Sequence, residues 1–289
     1  METIIWQWGP FSVPVFSLTF FIAVVIFLIM FFAEGKARRL SDQEMIDFVI
    51  VAFAGGLAGS RLAYAVLFDF GYYLENPARL LWLQDGGMSL WGGLLAALLA
   101  LFFWSARKHV IIECYLDAAA PAFALSLAIG NTGALLRGKL MASPYPWGIE
   151  YAGKYYHPDG AYMIVLLLVL FFILRWRKAK RAFEGELFIW FLVGYSLLSI
   201  AVDFFRESEP FLWHFTAGQA ASLAAILLAF FYLLVGSKIY TSFGYSTYRF
   251  SHVKRSWIGS FFRAVLAVAF IGLMVALYYL ARQPFPFNW

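Results

Sequence analysis

Residues 55–64 read Gly55-Gly56-Leu57-Ala58-Gly59-Ser60-Arg61-Leu62-Ala63-Tyr64, inside an apolar run over 45–68. About 20 apolar residues suffice for an α-helix to cross a bilayer, so the run predicts a membrane span. Gly55 and Gly59 fall at small-xxx-small spacing, which lets a second helix backbone come close. Arg61 then puts a fixed charge in hydrocarbon, at roughly 2.5–3.5 kcal/mol on insertion scales. Two explanations stand open: a structural pair with Asp85 or Asp203, or a place that binds a ligand.

The rest of the chain agrees with a multi-spanning protein. Of its 289 residues, 63% are hydrophobic, 20% aromatic and 13% charged, and the mean hydropathy is +0.75. A soluble domain cannot bury that much apolar surface. The net charge of +5 does not point to nucleic acid, because the basic residues lie in short clusters between apolar runs. One cysteine, Cys114, excludes an intrachain disulfide framework. Glu2, with no Lys or Arg before the first apolar run, argues against a cleaved leader.

Spans are expected near 11–33, 45–68, 88–106, 114–130, 161–174, 186–205, 217–236 and 258–281, about eight in all. The chain is thus expected to be an all-α integral membrane protein. Lys36, Arg38 and Arg39, then Arg107 and Lys108, then Arg175 to Arg181, then Lys238 to Arg255 occupy alternate connections. Positive residues stay on the cytoplasmic side, which places both termini outward. The outward connections 69–87 and 131–160 are long and rich in Gly, Pro and aromatics, as functional loops are.

Polar residues gather at the outward ends. Arg61 lies ~10 Å deep at 1.5 Å per residue. Asp85, Gly86 and Gly87 lead into the third span, where free N–H groups suit an anion and Asp85 suits an N-cap. Asn131 ends the fourth span, and Asp203 and Arg206 sit three apart, on one helical face. His214 and Gln219 open the seventh span, and His157 lies in the outward loop with Arg137. The set describes a polar chamber able to hold a lipid headgroup. Each member also has a plainer use: Asn131 as a helix terminator, Arg206 as an interfacial snorkeler, His214 as a hydrogen-bonding loop residue. Asp117, on the inner side, is expected to cap or pair, and Cys114 to be a small core residue. A transporter would carry polar residues through the inner halves of its helices, where few are found. No metal site or cofactor is expected.

These stretches resemble the prolipoprotein diacylglyceryl transferases. Residues 55–68 followed by Asp85-Gly86-Gly87-Met88-Ser89-Leu90-Trp91-Gly92-Gly93-Leu94 are similar to that family's G-G/A-R-h-x-Y-V-h-F and W-D-G-G-M-S-h-H-G-G-L. Asp117-Ala118-Ala119-Ala120-Pro121 and Ile129-Gly130-Asn131 resemble D-x-h-A-P…R-h-G-N; His157-Pro158 with Tyr162 resembles H-P-x-Q-L-Y-E. Gly194-Tyr195, Asp203-Phe204-Phe205-Arg206 and Gly218-Gln219 with Ser222 match G-Y…E-F-F-R…G-Q-h-h-S. The order is kept over about residues 10–236, and the resemblance implies a membrane core over 1–236, with 237–289 as a cytoplasmic connection and an extra C-terminal span.

The resemblance implies transfer of a diacylglyceryl group from phosphatidylglycerol, or another anionic phospholipid, to the lipobox cysteine of a prolipoprotein at the outer leaflet of the bacterial plasma membrane. The partners are that lipid and a prolipoprotein signal peptide. Arg61, Asn131 and Arg206 become the candidate catalytic residues. Asp85, Gly86, Gly87, Arg137, His157, Asp203, His214 and Gln219 become candidate substrate contacts, with His157 and His214 as bases. Four family groups are replaced: the arginine before h-G-N is Ala128, the histidine of H-G-G-L is Trp91, the tyrosine of W-Y-G is Phe16, and the arginine four before E-F-F-R is Ser199. N-G-E-x-x-G is also absent after Asn131. A non-catalytic lipid- or lipoprotein-binding relative is the alternative.

Overall fold

The structure is a computed structural model and describes residues 4–8, 11–81, 87–134, 138–207, 210–212 and 215–242. The expected span at 258–281 lies outside the described residues. The chain opens with a hairpin, β1 (Ile4–Trp8) and β2 (Phe11–Pro14), in place of the helix expected from residue 11. Pro14 accounts for the difference: a proline pushes the residue before it into extended conformation, so the helix begins after it. Helix α1 (Val15–Ala37) follows, then α2 (Asp42–Phe68) and a short α3 (Phe70–Glu75). Next come α4 (Leu90–Lys108), α5 (Ile112–Gly130), a hairpin of β3 (Ile149–Tyr151) and β4 (Lys154–Tyr156), and α6 (Asp159–Arg177). After α7 (Glu186–Asp203), β5 (Pro210–Leu212) and β6 (Phe215–Thr216) pair ahead of α8 (Ala217–Ser242).

The ends of the helices follow from the charges beside them. Asp42 and Glu44 sit in the first turn of α2, Asp159 in that of α6 and Glu186 in that of α7, while Arg107 and Lys108 close α4. Acids at the N-terminus and bases at the C-terminus complement the helix dipole. The span expected at 161–174 is longer in the structure because α6 takes in Asp159 at one end and Arg175 and Arg177 at the other. Helix α8 likewise continues past residue 236. Among the described residues, α1, α2, α5, α6 and α7 are long and apolar enough to cross a membrane.

The chain forms two compact units. One comprises Met1–Phe31 and Asp117–Trp289, the other Phe32–Leu116. In the first, Ala128, Met163, Ile164, Leu167 and Leu168 make a buried apolar cluster. Phe123 stacks on Phe191, and Phe191 on Tyr195. Asp117 is fully buried and accepts from the Phe188 amide at 3.0 Å and from Arg181 at 3.5 Å. It caps and pairs, as its position suggested.

The second unit is built on the small residues of α2 and α4. A Cβ at Gly59 would lie 1.9 Å from the Ala96 Cβ, one at Gly92 2.1 Å from the Ala63 Cβ, and one at Gly55 2.7 Å from the Ala100 Cβ. Gly55, Gly59 and Ala63 therefore face Gly92, Ala96 and Ala100, each row at a spacing of four. Helices in lipid gain most by this close packing, because the bilayer is as apolar as their side chains. Gly59→Val is expected to cost about 1–3 kcal/mol by overpacking. The check is the thermal unfolding midpoint in detergent, with Gly71→Ala as control, since a Cβ at Gly71 meets nothing within 4 Å. Equal midpoints for the two variants would contradict the packing.

Candidate functional site

Arg61 is buried in the second unit, with 3% of its surface exposed. Its Nη2 donates to the Arg79 carbonyl at 3.0 Å, Nη1 to that of Gly87 at 3.1 Å and Nε to that of Leu80 at 3.3 Å. The guanidinium also lies over the Tyr73 ring, 5.4 Å from its centroid. A planar fork of fixed charge can reach three carbonyls that diverge in this way, and a lysine cannot. Gly87 is drawn in closely: its φ is +68°, and a Cβ there would come 2.6 Å from Tyr64 and 3.2 Å from Arg61 Nη1. Arg61 thus ties the helical turn Pro77–Leu81 and Gly87 to α2. Asp85 and Gly86 lie outside the described residues. The N-cap of α4 is Ser89, whose hydroxyl accepts from the Gly92 amide.

The first unit gathers another group of the expected residues around one end of α6 and α7. Helix α7 stops at Asp203, because Phe205 and Arg206 turn back to the carbonyls of Val202 and Asp203. Asp203 and Arg206 therefore do not share a helical face. Arg206 instead pairs as a short bridge with Gly138, and the Lys139 amide donates to Phe205. Lys139 in turn accepts from the His157 amide at 3.0 Å. Gly138 is required here, since a Cβ would lie 1.7 Å from the His157 carbonyl oxygen.

Five ionisable side chains, Arg206, Asp159, His157, Tyr162 and Lys139, are carried on or beside this strip. Arg206 Nε donates to the Asp159 carboxylate at 2.8 Å. His157 Nδ1 lies 3.2 Å from the Tyr162 hydroxyl, and its ring packs on Phe205 at 5.1 Å between centroids. The Lys139 ammonium donates to the Phe204 carbonyl. Asp203 was expected to orient an arginine and instead accepts from the Thr216 hydroxyl at 2.5 Å. Thr216 and Gln219 form a capping box at the start of α8: the Gln219 amide donates to Thr216 Oγ1, and the Thr216 amide to Gln219 Oε1. Asn131 follows α5 and donates its amide to the Leu127 carbonyl at 2.7 Å. Arg137 and His214 lie outside the described residues. Asp159 is the member of this group that the sequence does not single out. The acid in the first turn after His157-Pro158 was the available signal for Asp159.

Of the four replaced family groups, Ala128 is the most telling. It is fully buried in the apolar cluster of the first unit. Met163 belongs to the same cluster, 3% exposed, and stands where the motif H-P-x-Q-L-Y-E ends in its glutamate. An arginine position and a glutamate position have thus both become apolar in one cluster. Phe16 is half exposed on α1, and Trp91 and Ser199 are half-buried.

These features define a mostly helical membrane protein with a buried arginine clamp in one unit and an arginine–carboxylate–histidine group in the other. The chain belongs to the prolipoprotein diacylglyceryl transferase family, whose model matches residues 3–236. A phosphatidylglycerol–prolipoprotein diacylglyceryl transferase of Bordetella avium is 29% identical over 222 residues, 73% of this chain and 84% of that protein. Proteins of the same description from Verminephrobacter eiseniae and Coxiella burnetii are 30% and 29% identical, covering 74% and 81% of this chain.

Proposed function

We propose that this chain transfers a diacylglyceryl group from phosphatidylglycerol to the cysteine thiol of a prolipoprotein. Membership of the family over most of the chain carries the reading, and the ionisable group around Arg206 supplies suitable chemistry. The protein works as a multi-pass protein of the bacterial inner membrane, with about eight spans. Residues 1–236 form the catalytic core, and 237–289 add a cytoplasmic connection and a last span. The alternating basic connections put both termini, and the Arg206 end of α7, on the outer side.

The reaction forms a carbon–sulfur bond and breaks the bond between glycerol carbon and phosphate oxygen. The thiol proton leaves to a base, and glycerol phosphate departs with the bonding pair. His157 is the proposed base, its ring held by Tyr162 and Phe205. Arg206 takes phosphate oxygens, since a guanidinium binds them in pairs and stays charged. Lys139 adds positive charge from the segment bridged to Arg206 through Gly138. Arg61 acts by holding the loop that carries Gly87, and Asn131 by orienting the end of α5. Asp203 and Gln219 fix the start of α8, and Asp85, Gly86, Arg137 and His214 complete the proposed substrate contacts.

The test is release of glycerol phosphate from phosphatidylglycerol by the purified protein, with a lipobox peptide and its Cys→Ser counterpart. Release with the thiol peptide alone is expected. Equal release with both, or with neither, contradicts thiol-dependent transfer.

A further inference from the structure

We propose that Asp159 is the positioning residue that aims Arg206 at the lipid phosphate, an inference that rests on the transferase reading. Asp159 is 2% exposed and sits in the first turn of α6, where the helix dipole stabilises its negative charge. Its amide donates to the His157 carbonyl at 2.9 Å, which ties the backbone that carries the carboxylate. Among the described residues, the Arg206 guanidinium contacts Asp159, through Nε to Oδ2 at 2.8 Å. Nη1 and Nη2 have no partner among the described residues, and the side chain keeps 25% of its exposure.

That division of the guanidinium is what an anion site needs. One edge is locked by a buried carboxylate, and the two terminal amino groups are presented together as a fork for two oxygens of one phosphate. The backbone fixes the root of the same side chain through the bridge to Gly138. Lys139, next to Gly138 in the bridged segment, donates its ammonium to the Phe204 carbonyl. Without the carboxylate, Arg206 retains its charge and loses its aim.

The experiment compares wild type, Asp159→Asn, Asp159→Glu, Arg206→Lys and the Asp159→Asn/Arg206→Lys double variant in detergent. Readouts are the unfolding midpoint, kcat and KM for phosphatidylglycerol with a lipobox peptide, and binding of phosphatidylglycerol against diacylglycerol, which has no phosphate. Asp159→Asn is expected to raise KM about tenfold, equivalent to about 1.4 kcal/mol, and to weaken phosphatidylglycerol binding in step. Asp159→Glu restores most of the loss. In the Arg206→Lys background, removing the carboxylate changes KM little, because no fork remains to be aimed. A purely structural Asp159 would lower the midpoint without changing the preference for phosphatidylglycerol over diacylglycerol. Unchanged KM and binding in Asp159→Asn, or a tenfold loss that persists beside Arg206→Lys, overturns the proposal and leaves the transferase reading standing. Should wild type bind phosphatidylglycerol, lose that binding in Asp159→Asn and transfer nothing, the positioning role holds and the transferase reading falls.

Discussion

Arg61→Ala is expected to abolish recovery of folded protein from detergent extracts. The substitution removes the donors to the carbonyls of Arg79, Leu80 and Gly87 together. Arg79, Leu80 and Gly87 are half-buried, so each carbonyl stripped of its partner costs about 1 kcal/mol, and the three together about 3 kcal/mol, before the void is counted. That is a large part of the ~5–15 kcal/mol that holds a typical protein folded. Arg61→Lys should do little better, since one ammonium on a flexible stem cannot replace a fork that reaches three diverging carbonyls. Size-exclusion profile and unfolding midpoint are the measurements. A monodisperse Arg61→Ala protein with the wild-type midpoint, weakened only in phosphatidylglycerol binding, would instead make Arg61 a ligand residue.

Ala128→Arg is the second large effect, and it is counterintuitive because it restores the family's own residue. Ala128 is fully enclosed among Ile129, Ala161, Met163 and Ile164. An unpaired charge in such a cluster costs several kcal/mol after relaxation, so the single variant should fail to accumulate. Ala128→Arg with Met163→Glu supplies both halves of an ion pair to the same cluster, and part of the lost midpoint should return. Single Met163→Glu is expected to be destabilising as well. Additive losses in the double variant would show that the two positions do not compensate each other. Recovery would identify the apolar Ala128 and Met163 as a joint exchange of a buried pair for packing, which proteins tolerate well when volume is kept.

The parts of this molecule that sequence made legible are those governed by periodic or local rules. Gly55 and Gly59 announced the close helix contact because a missing side chain has one effect in a packed pair. Asp117 announced its capping role for a similar reason, as a lone acid in an apolar run. The start of α1 departs from the expected residue 11 because apolarity alone does not separate strand from helix, and Pro14 sets the boundary. Partners across the chain were the harder part. Asp203 was expected to serve an arginine from its spacing to Arg206, but a turn at residues 204–206 breaks the helical geometry which that spacing assumes. Asp159 is 47 residues from Arg206 in sequence, and no local pattern joins them. Arg61 showed its cost in the sequence but not its solution, since backbone carbonyls carry no residue signature.

The central claim, that this chain carries out diacylglyceryl transfer with Ala128 and Ser199 in place of two arginines, is tested most directly by peptide mass. Purified wild-type protein is incubated with phosphatidylglycerol of defined acyl chains and a lipobox peptide, and the peptide is analysed by mass spectrometry. The predicted result is a peptide heavier by the diacylglyceryl group, attached at its cysteine, with glycerol phosphate released in equal amount. An unmodified peptide, under conditions in which the Bordetella avium relative modifies it fully, would contradict the account.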